Sequence, residues 1–204
     1  MAKQIKLYNT YIPKSPLILE SYVPDSDKQD IPTKQLIESS NKMFRGLGNV
    51  RGDFQEADVR NENNRIYRSE LVGRIIREFS ENSVRNRNAI GELDHPKDDT
   101  FSPDLKKGAM AISEIFYNPQ TKLVSGEYTI LPTSAGRDLL AYHISRVNIG
   151  VSARGIGSLV PDYSGIYENT EGMVEIVQDD YMLSTYDTVS RPSYNVATNM
   201  NVKL

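Results

Sequence analysis

The sequence predicts an α+β fold, a mainly antiparallel β-sheet or small barrel with two or more packed helices. Three observations indicate this class. Apolar residues recur at helical spacing over residues 68–83, two strand-like runs flank the turn "YNPQTK" within residues 110–131, and residues 172–193 alternate as one or two further strands do. The chain has 204 residues, 38% of them hydrophobic and 25% charged, which is enough to bury one core.

Two segments carry the helical pattern. The first, "RSELVGRIIREFSENS" at residues 68–83, is amphipathic and has Ser69 as a candidate N-cap. The second, residues 133–147, has Thr133 or Ser134 as its cap. Its apolar face is expected to contain Leu139, Leu140, Ile144 and Val147.

The remaining segments are expected to be strands or loops. Residues 54–67 predict a strand and a polar turn, residues 88–96 a short strand or buried loop, and residues 148–160 a strand that ends in a Gly-rich turn. The tail from residue 194 onward is expected to be loose. Residues 1–50 contain four prolines and little periodicity, so we expect an N-terminal arm of extended or loosely packed chain before a domain at residues 51–204.

Composition excludes several function classes. The net charge of -3 provides no strong attraction to nucleic acid or membrane surfaces. The absence of cysteine excludes disulfides, thiol catalysis and cysteine zinc sites, and it suits a reducing compartment. No apolar run approaches the roughly 18 residues that a membrane-spanning helix needs, and the N-terminus does not resemble a signal peptide. We therefore expect no metal, no cofactor, no direct nucleic-acid contact and no membrane contact.

The stretch "NIGVSARGIGSL" at residues 148–159 contains the candidate nucleophile, Ser152. Arg154, Gly155 and Gly157 follow it, and a Gly-rich turn can direct backbone N–H groups at one point, as an oxyanion hole requires. The pattern differs from the GxSxG elbow of α/β-hydrolases. On spacing alone, a solvent-facing serine at a strand end remains the favoured alternative.

A serine nucleophile needs a base, and the chain offers two histidines, His95 and His143. His95 lies in "GELDHP", where Gly91 permits an unusual turn and Glu92 or Asp94 could orient the ring. The alternative is a histidine on a surface loop. His143 lies on the second predicted helix and is more typical of the edge of a core.

A third group is required to fix the tautomer of the base. Asp187 lies in the strand-like stretch "YDTVSRPS", whereas Asp179 and Asp180 resemble a solvated turn. From the residues alone, a serine hydrolase is one of the interpretations that stay open.

Several motifs taken in order resemble a known family. "NENNRIY", an amphipathic helix, "AIGELDHP", a hairpin, "GVSARGIGSL" and "DTVSRPS" resemble the prohead core proteases of large contractile-tailed bacteriophages, relatives of the herpesvirus assemblins. The resemblance covers roughly residues 54–197. It implies an assemblin-like fold and a serine endopeptidase inside the prohead, in the cytoplasm of the bacterial host. It also implies that the enzyme forms a homo-oligomer, degrades the scaffolding core and trims capsid proteins.

The resemblance also assigns roles. Ser152 matches the nucleophile of the family and His95 its base, while Arg154 and Gly155 match the segment near the oxyanion. Asp187 matches an acidic position and is the expected third member. The assemblins use a second histidine in that role, but His143 lies outside the shared motifs and ranks second.

The arm contains two candidate sites for self-cleavage. The resemblance implies cleavage after Glu with Leu or Ile two residues earlier. "LILES" offers Glu20–Ser21, which ranks first, and "QLIESS" offers Glu38–Ser39. The arm is then an autoinhibitory propeptide. "ISEI" at residues 112–115 fits as well, but it lies in a predicted strand.

Two other functions compete with the protease. A non-catalytic structural protein of the capsid or tail could share the fold. An esterase or lipase-like hydrolase is disfavoured because the chain lacks the elbow motif and a long parallel α/β pattern.

Overall fold

The computed structural model describes residues 5–10, 37–38, 44–98, 100–166, 173–191, 194 and 201–203; segments 5–10, 37–38 and 201–203 are described as backbone only. The helices are α1 (Ser69–Phe79), which continues into a π-helical turn at Ser80–Val84, and α2 (Ser134–Ile144); a 3₁₀ turn spans Leu105–Lys107. The strands are β1 (Ile5–Thr10), β2 (Ile37–Glu38), β3 (Arg45–Gly46), β4 (Gly48–Glu56), β5 (Arg65–Ile66), β6 (Ile90–Glu92), β7 (Gly108–Asn118), β8 (Leu123–Ile130), β9 (Gly150–Gly157), β10 (Leu159–Asp162), β11 (Val174–Val177), β12 (Met182–Val189) and β13 (Asn201–Lys203).

The strands form mostly antiparallel sheets. The largest has the order β13-β4-β8-β7-β6, and two smaller sheets have the orders β1-β9-β12 and β10-β11-β5. β5 runs parallel to β11, and β2 pairs with β3. The predicted hairpin is β7 and β8, and the strands predicted within residues 172–193 are β11 and β12. The mainly antiparallel sheets and two helices confirm the predicted α+β class.

Helix α1 packs the face that the sequence predicts. Its buried side chains are apolar and lie three or four residues apart, namely Leu71, Val72, Ile75, Ile76 and Phe79. The prediction that Ser69 is the N-cap is wrong, because Arg68 occupies that position. Asp58, from the loop after β4, accepts hydrogen bonds from the Ser69 N–H (2.9 Å) and Oγ (2.5 Å), so a residue outside the helix satisfies its first N–H group.

Helix α2 begins as predicted, because Thr133 Oγ1 accepts a hydrogen bond from the Gly136 N–H at 3.0 Å. Leu139 and Leu140 are buried on its inner face. Val147 does not belong to that face, because the helix ends at Ile144 and Val147 is 43% exposed.

The prediction of a Gly-rich turn after Ser152 is wrong. Gly155 and Gly157 lie inside β9. A Cβ on Gly155 would be 2.4 Å from Cζ and Oη of Tyr181, and one on Gly157 would be 2.8 Å from the Tyr181 Cα. Gly91 likewise lies in β6, not in a turn, and its Cβ would be 2.2 Å from the carbonyl oxygen of Tyr186. These glycines allow close approach of neighbouring chain, and they are not needed for a turn.

Parts of both chain ends are extended. Residues 201–203 of the tail form β13, which pairs with β4, so the expectation of a loose tail is wrong there. In the arm, β1 pairs antiparallel with β9 over its whole length, with Thr10 opposite Ser152. β4 already begins at Gly48, and the division into an arm at 1–50 and a domain at 51–204 stays a prediction.

Candidate active site

The structure brings Ser152, His95 and Asp187 together. His95 Nε2 lies 2.5 Å from Ser152 Oγ, and His95 Nδ1 lies 2.8 Å from Asp187 Oδ2. With the proton on Nδ1, the ring donates to the carboxylate and accepts from the serine hydroxyl, which is the tautomer that a general base needs. The three side chains form one continuous hydrogen-bonded chain from acid to base to hydroxyl.

Strand pairing positions the serine and the aspartate. Ser152 lies opposite Asp187 in the register of β9 and β12, so both side chains project from the same face of the sheet. Both are fully buried. A neighbouring strand pair therefore fixes the separation between these two groups.

The loop after β6 carries His95 to this face. Leu93 forms an isolated parallel bridge with Thr188, and the Asp94 N–H donates to the Thr188 carbonyl at 2.7 Å. Asp94 has a positive φ of 70°, and its Oδ1 accepts from the His95 N–H at 2.9 Å. These contacts attach the loop beside Asp187 and direct the His95 ring toward it. The side chain of His95 is 17% exposed, so the base is reachable from outside.

A buried ion-pair network lies behind the aspartate. Arg154 donates from Nε to Asp187 Oδ2 (2.8 Å) and from Nη2 to Oδ1 (2.6 Å), and the same Nη2 lies 2.9 Å from Glu92 Oε1. The Glu92 N–H also donates to Asp187 Oδ1 at 2.8 Å. Burial lowers the pKa of the Arg154 guanidinium, but the hydrogen bonds and charges of Asp187 and Glu92 outweigh it, so the pKa is raised. Arg154 is therefore charged and binds the aspartate through bidentate hydrogen bonds.

The predicted oxyanion residues have other described contacts. The Arg154 side chain is engaged by the two carboxylates, which leaves only its main-chain N–H for the predicted role. Gly155 packs against Tyr181, and both residues lie in a strand flanked by β1 and β12. Their oxyanion role stays a prediction.

His143 lies elsewhere in the fold. It is buried on α2, and its Nε2 lies 3.0 Å from the hydroxyl of Tyr128. Burial lowers its pKa to about 4, so the ring is neutral near pH 7. The group that faces Nδ1 of His95 is Asp187 and not His143, the second candidate for the third member of the triad. His143 has the core position that its helical placement indicates.

An apolar pocket of about 230 Å³ lies beside the triad, where β9 begins and β12 ends. Most of its walls are apolar, and the lining residues are Leu93, Asp94, Tyr142, Val147, Ile149, Thr188, Val189 and Ser190. Asp94 adjoins His95 in sequence, and Thr188 adjoins Asp187. Sequence reasoning missed this pocket, because its walls come from four separate segments. It has the size and lining to receive an aliphatic side chain.

The candidate self-cleavage residues are only partly described. Glu38 lies in β2, where it pairs with Arg45 of β3. Glu20, Ser21 and Ser39 lie outside the described residues. "ISEI" lies inside β7, as its strand pattern predicts.

Sequence reasoning also missed the link between Arg154 and Asp187. The available signal was the two-residue spacing of Ser152 and Arg154, which places both on one face of a strand. Within the described ranges, no group of three or more potential ligand residues could hold a metal ion. No helix among the described residues is long and apolar enough to cross a membrane.

Comparison with known proteins identifies relatives. The chain matches the family model for the prohead core protein serine protease over residues 15–201. It is 30% identical over 125 residues to the prohead core protein protease of Enterobacteria phage T4, a match covering 60% of this chain and 57% of that protein. The chain thus aligns with somewhat more than half the length of this curated relative. The solved structure of the bacteriophage T4 capsid assembly protease matches with a TM-score of 0.68 over 92% of this chain and 98% of that one, at 22% identity, and this likeness shows a shared fold.

Proposed function

Because the chain belongs to the family of prohead core protein serine proteases, we propose that it is a serine endopeptidase of a phage prohead. The observation that carries the proposal is the continuous hydrogen-bonded chain from Asp187 through His95 to Ser152. A non-catalytic structural protein would not need this series of hydrogen bonds, and forming it requires the unfavourable burial of a charged carboxylate.

The reaction follows from this geometry. Ser152 Oγ attacks the scissile carbonyl carbon while its proton moves to His95 Nε2, and Asp187 remains ionised and stabilises the imidazolium. Main-chain N–H groups near Arg154 and Gly155 stabilise the oxyanion. The imidazolium then protonates the leaving amine, and water repeats the sequence on the acyl-enzyme.

The proposed substrates are the scaffolding core and the major capsid proteins, cut after Glu in Leu/Ile-x-Glu sites. The apolar pocket beside the triad supports the aliphatic part of this preference, since it would shield a Leu or Ile side chain of the substrate from water. The enzyme acts inside the prohead, in the cytoplasm of the bacterial host.

We further propose that the arm is an autoinhibitory propeptide removed by self-cleavage, first after Glu20 and alternatively after Glu38. Two observations support it: β1 pairs along the nucleophile strand as far as Ser152, and Ser152 is fully buried. A peptide substrate needs access to Oγ, so release of the arm would expose the nucleophile.

We propose that the protein forms a homo-oligomer and binds neither nucleic acid nor membranes directly. Exposed apolar side chains on β10 and the loop after it support self-association, because a monomer gains nothing from leaving them in water. These side chains are Val160, Tyr163 and Ile166.

Mass spectrometry of the expressed full chain beside Ser152→Ala tests the proposal. The parent is expected to lose its first 20 or 38 residues and to cut a Leu-x-Glu peptide, while Ser152→Ala stays intact and does neither. Equal cleavage by both proteins would refute the serine mechanism. Absence of cleavage by both, with capsid protein as substrate, would favour the structural alternative.

A further inference from the structure

Glu92, Arg154 and Asp187 form a buried charged group that the triad mechanism alone does not explain. All three side chains are at most 1% exposed. One guanidinium faces two carboxylates, so the group carries a net charge of about -1 when all three are ionised. Glu92 is held in turn by the Asp104 N–H, which donates to its Oε1 at 2.7 Å.

This excess negative charge lies beside the group that becomes positive during catalysis. His95 faces Asp187 from β12 and Ser152 from β9, and Asp94 is the acidic residue next to it on its own loop. Arg154 and Glu92 lie directly behind Asp187. Before proton transfer, the net charge of the buried group together with the neutral His95 ring is -1. After the ring gains its proton, this net charge is zero.

We propose that Arg154 and Glu92 are positioning residues for the serine-protease reaction: Arg154 fixes the orientation of Asp187, and Glu92 supplies the extra negative charge that favours proton transfer from Ser152 to His95. This rests on the proposed function. The step itself is balanced, since the Ser152 O–H bond breaks, an N–H bond forms at His95 Nε2, and the oxygen bonds to the substrate carbon. Arg154 alone would neutralise Asp187 and leave the imidazolium with no net counter-charge.

The charge of Glu92 can be tested without catalysis. The chain has two histidines, so the ring signal that disappears in His143→Gln belongs to His143 and the other signal belongs to His95. We suggest following the His95 ring by NMR against pH in the full-length Ser152→Ala protein, alone and combined with Glu92→Gln. Glu92→Gln is expected to lower the His95 titration midpoint by about one pH unit, because a nearby negative charge is lost in a partly buried site.

Glu127→Gln is the matched control. Glu127 is also a buried glutamate, but it lies on β8, where it contacts Ser113 and Arg51. This substitution is expected to leave the His95 midpoint in place. Equal midpoints in the Glu92→Gln, Glu127→Gln and parent proteins would overturn the role of Glu92.

Arg154→Lys tests the positioning role in protein that retains Ser152. Lysine keeps the charge but loses the two-pronged grip, so kcat is expected to fall about 10- to 100-fold with KM and the acid limb of the pH profile unchanged. An unchanged kcat would overturn the role of Arg154, and this result does not depend on whether Glu92→Gln folds. Cleavage by Ser152→Ala would instead refute the proposed function, whereas the His95 titration does not depend on turnover.

Discussion

Ser152 and Asp187 are direct partners in the antiparallel pairing of β9 and β12. The imidazole of His95 spans the two side chains from a loop attached to β12 at Thr188. Two of the three triad positions are thereby set by backbone hydrogen bonds of a sheet, which holds groups more tightly than an independent loop would.

Asp187→Asn is expected to lower kcat by about 10⁴-fold with little change in KM, because an amide can hold His95 in the wrong tautomer. The amide also places N–H donors against the guanidinium of Arg154. Steady-state kinetics on a Leu-x-Glu peptide measures the loss. Asp179→Asn, at an exposed turn that pairs with Arg68, serves as the control; a loss below tenfold at Asp187 would contradict its assigned role.

Gly155→Ala is expected to destabilise the protein by about 2 kcal/mol or more, because the new methyl group would overlap the Tyr181 ring and the Met182 carbonyl. Gly73→Ala provides the opposite case, since Gly73 lies on α1 and its Cβ would lie 3.5 Å from the Tyr117 ring of β7, an ordinary contact. It should stabilise by up to about 1 kcal/mol. Urea unfolding of both variants measures the difference, and similar free energies of unfolding would show that the packing at Gly155 relaxes.

Val147→Ser is expected to lower kcat/KM for a Leu-x-Glu peptide by about tenfold while changing it little for an Ala-x-Glu peptide, since it removes apolar wall from the pocket. Val147 is partly exposed, so folding should be little affected. Phe116→Ser is the control, because Phe116 is 48% exposed but lies on β7, outside the pocket. Equal losses on both peptides would place the aliphatic side chain elsewhere.

Stability is expected to fall as the pH drops from about 6.5 toward 4. Burial lowers the pKa of His143 in the folded state, so the unfolded chain binds a proton there that the folded chain does not. The free energy of unfolding therefore decreases through this window, by on the order of 3 kcal/mol at most from this residue.

Urea unfolding at several pH values, with the parent and His143→Gln, measures this contribution. The variant is expected to lose part of the slope between pH 6.5 and 4, whereas Tyr142→Gln on the exposed side of α2 should keep it. Identical slopes for the parent and His143→Gln would mean that the buried ring does not control this titration.

Side-chain periodicity predicted the helices and strands whose buried face can be read from neighbouring residues in the sequence. The apolar face of α1 and the hairpin of β7 and β8 follow directly from side-chain spacing. Glycine was less informative, because a turn and a close chain contact both require a missing side chain. At Gly155 the reason is Tyr181, which lies 26 positions away and cannot be identified from local sequence.

The sequence predicted the triad residues of the site but not the groups around them. Ser152, His95 and Asp187 were chosen from the order of several motifs, and the structure places them within hydrogen-bonding distance. The partnership of Arg154 with Asp187 and Glu92 depends on which strands are neighbours and in which register, so spacing within one strand could not reveal it. The pocket depends in the same way on four segments that meet only in the folded chain.

The three triad residues are separated by long stretches of chain, 57 positions between His95 and Ser152 and 92 between His95 and Asp187. A nascent chain on the ribosome therefore possesses base and nucleophile well before the acid has been synthesised. Until β12 emerges and pairs with β9, the hydrogen-bonded arrangement of acid, base and hydroxyl cannot form. The triad is therefore completed only by a strand that lies late in the chain, Met182–Val189.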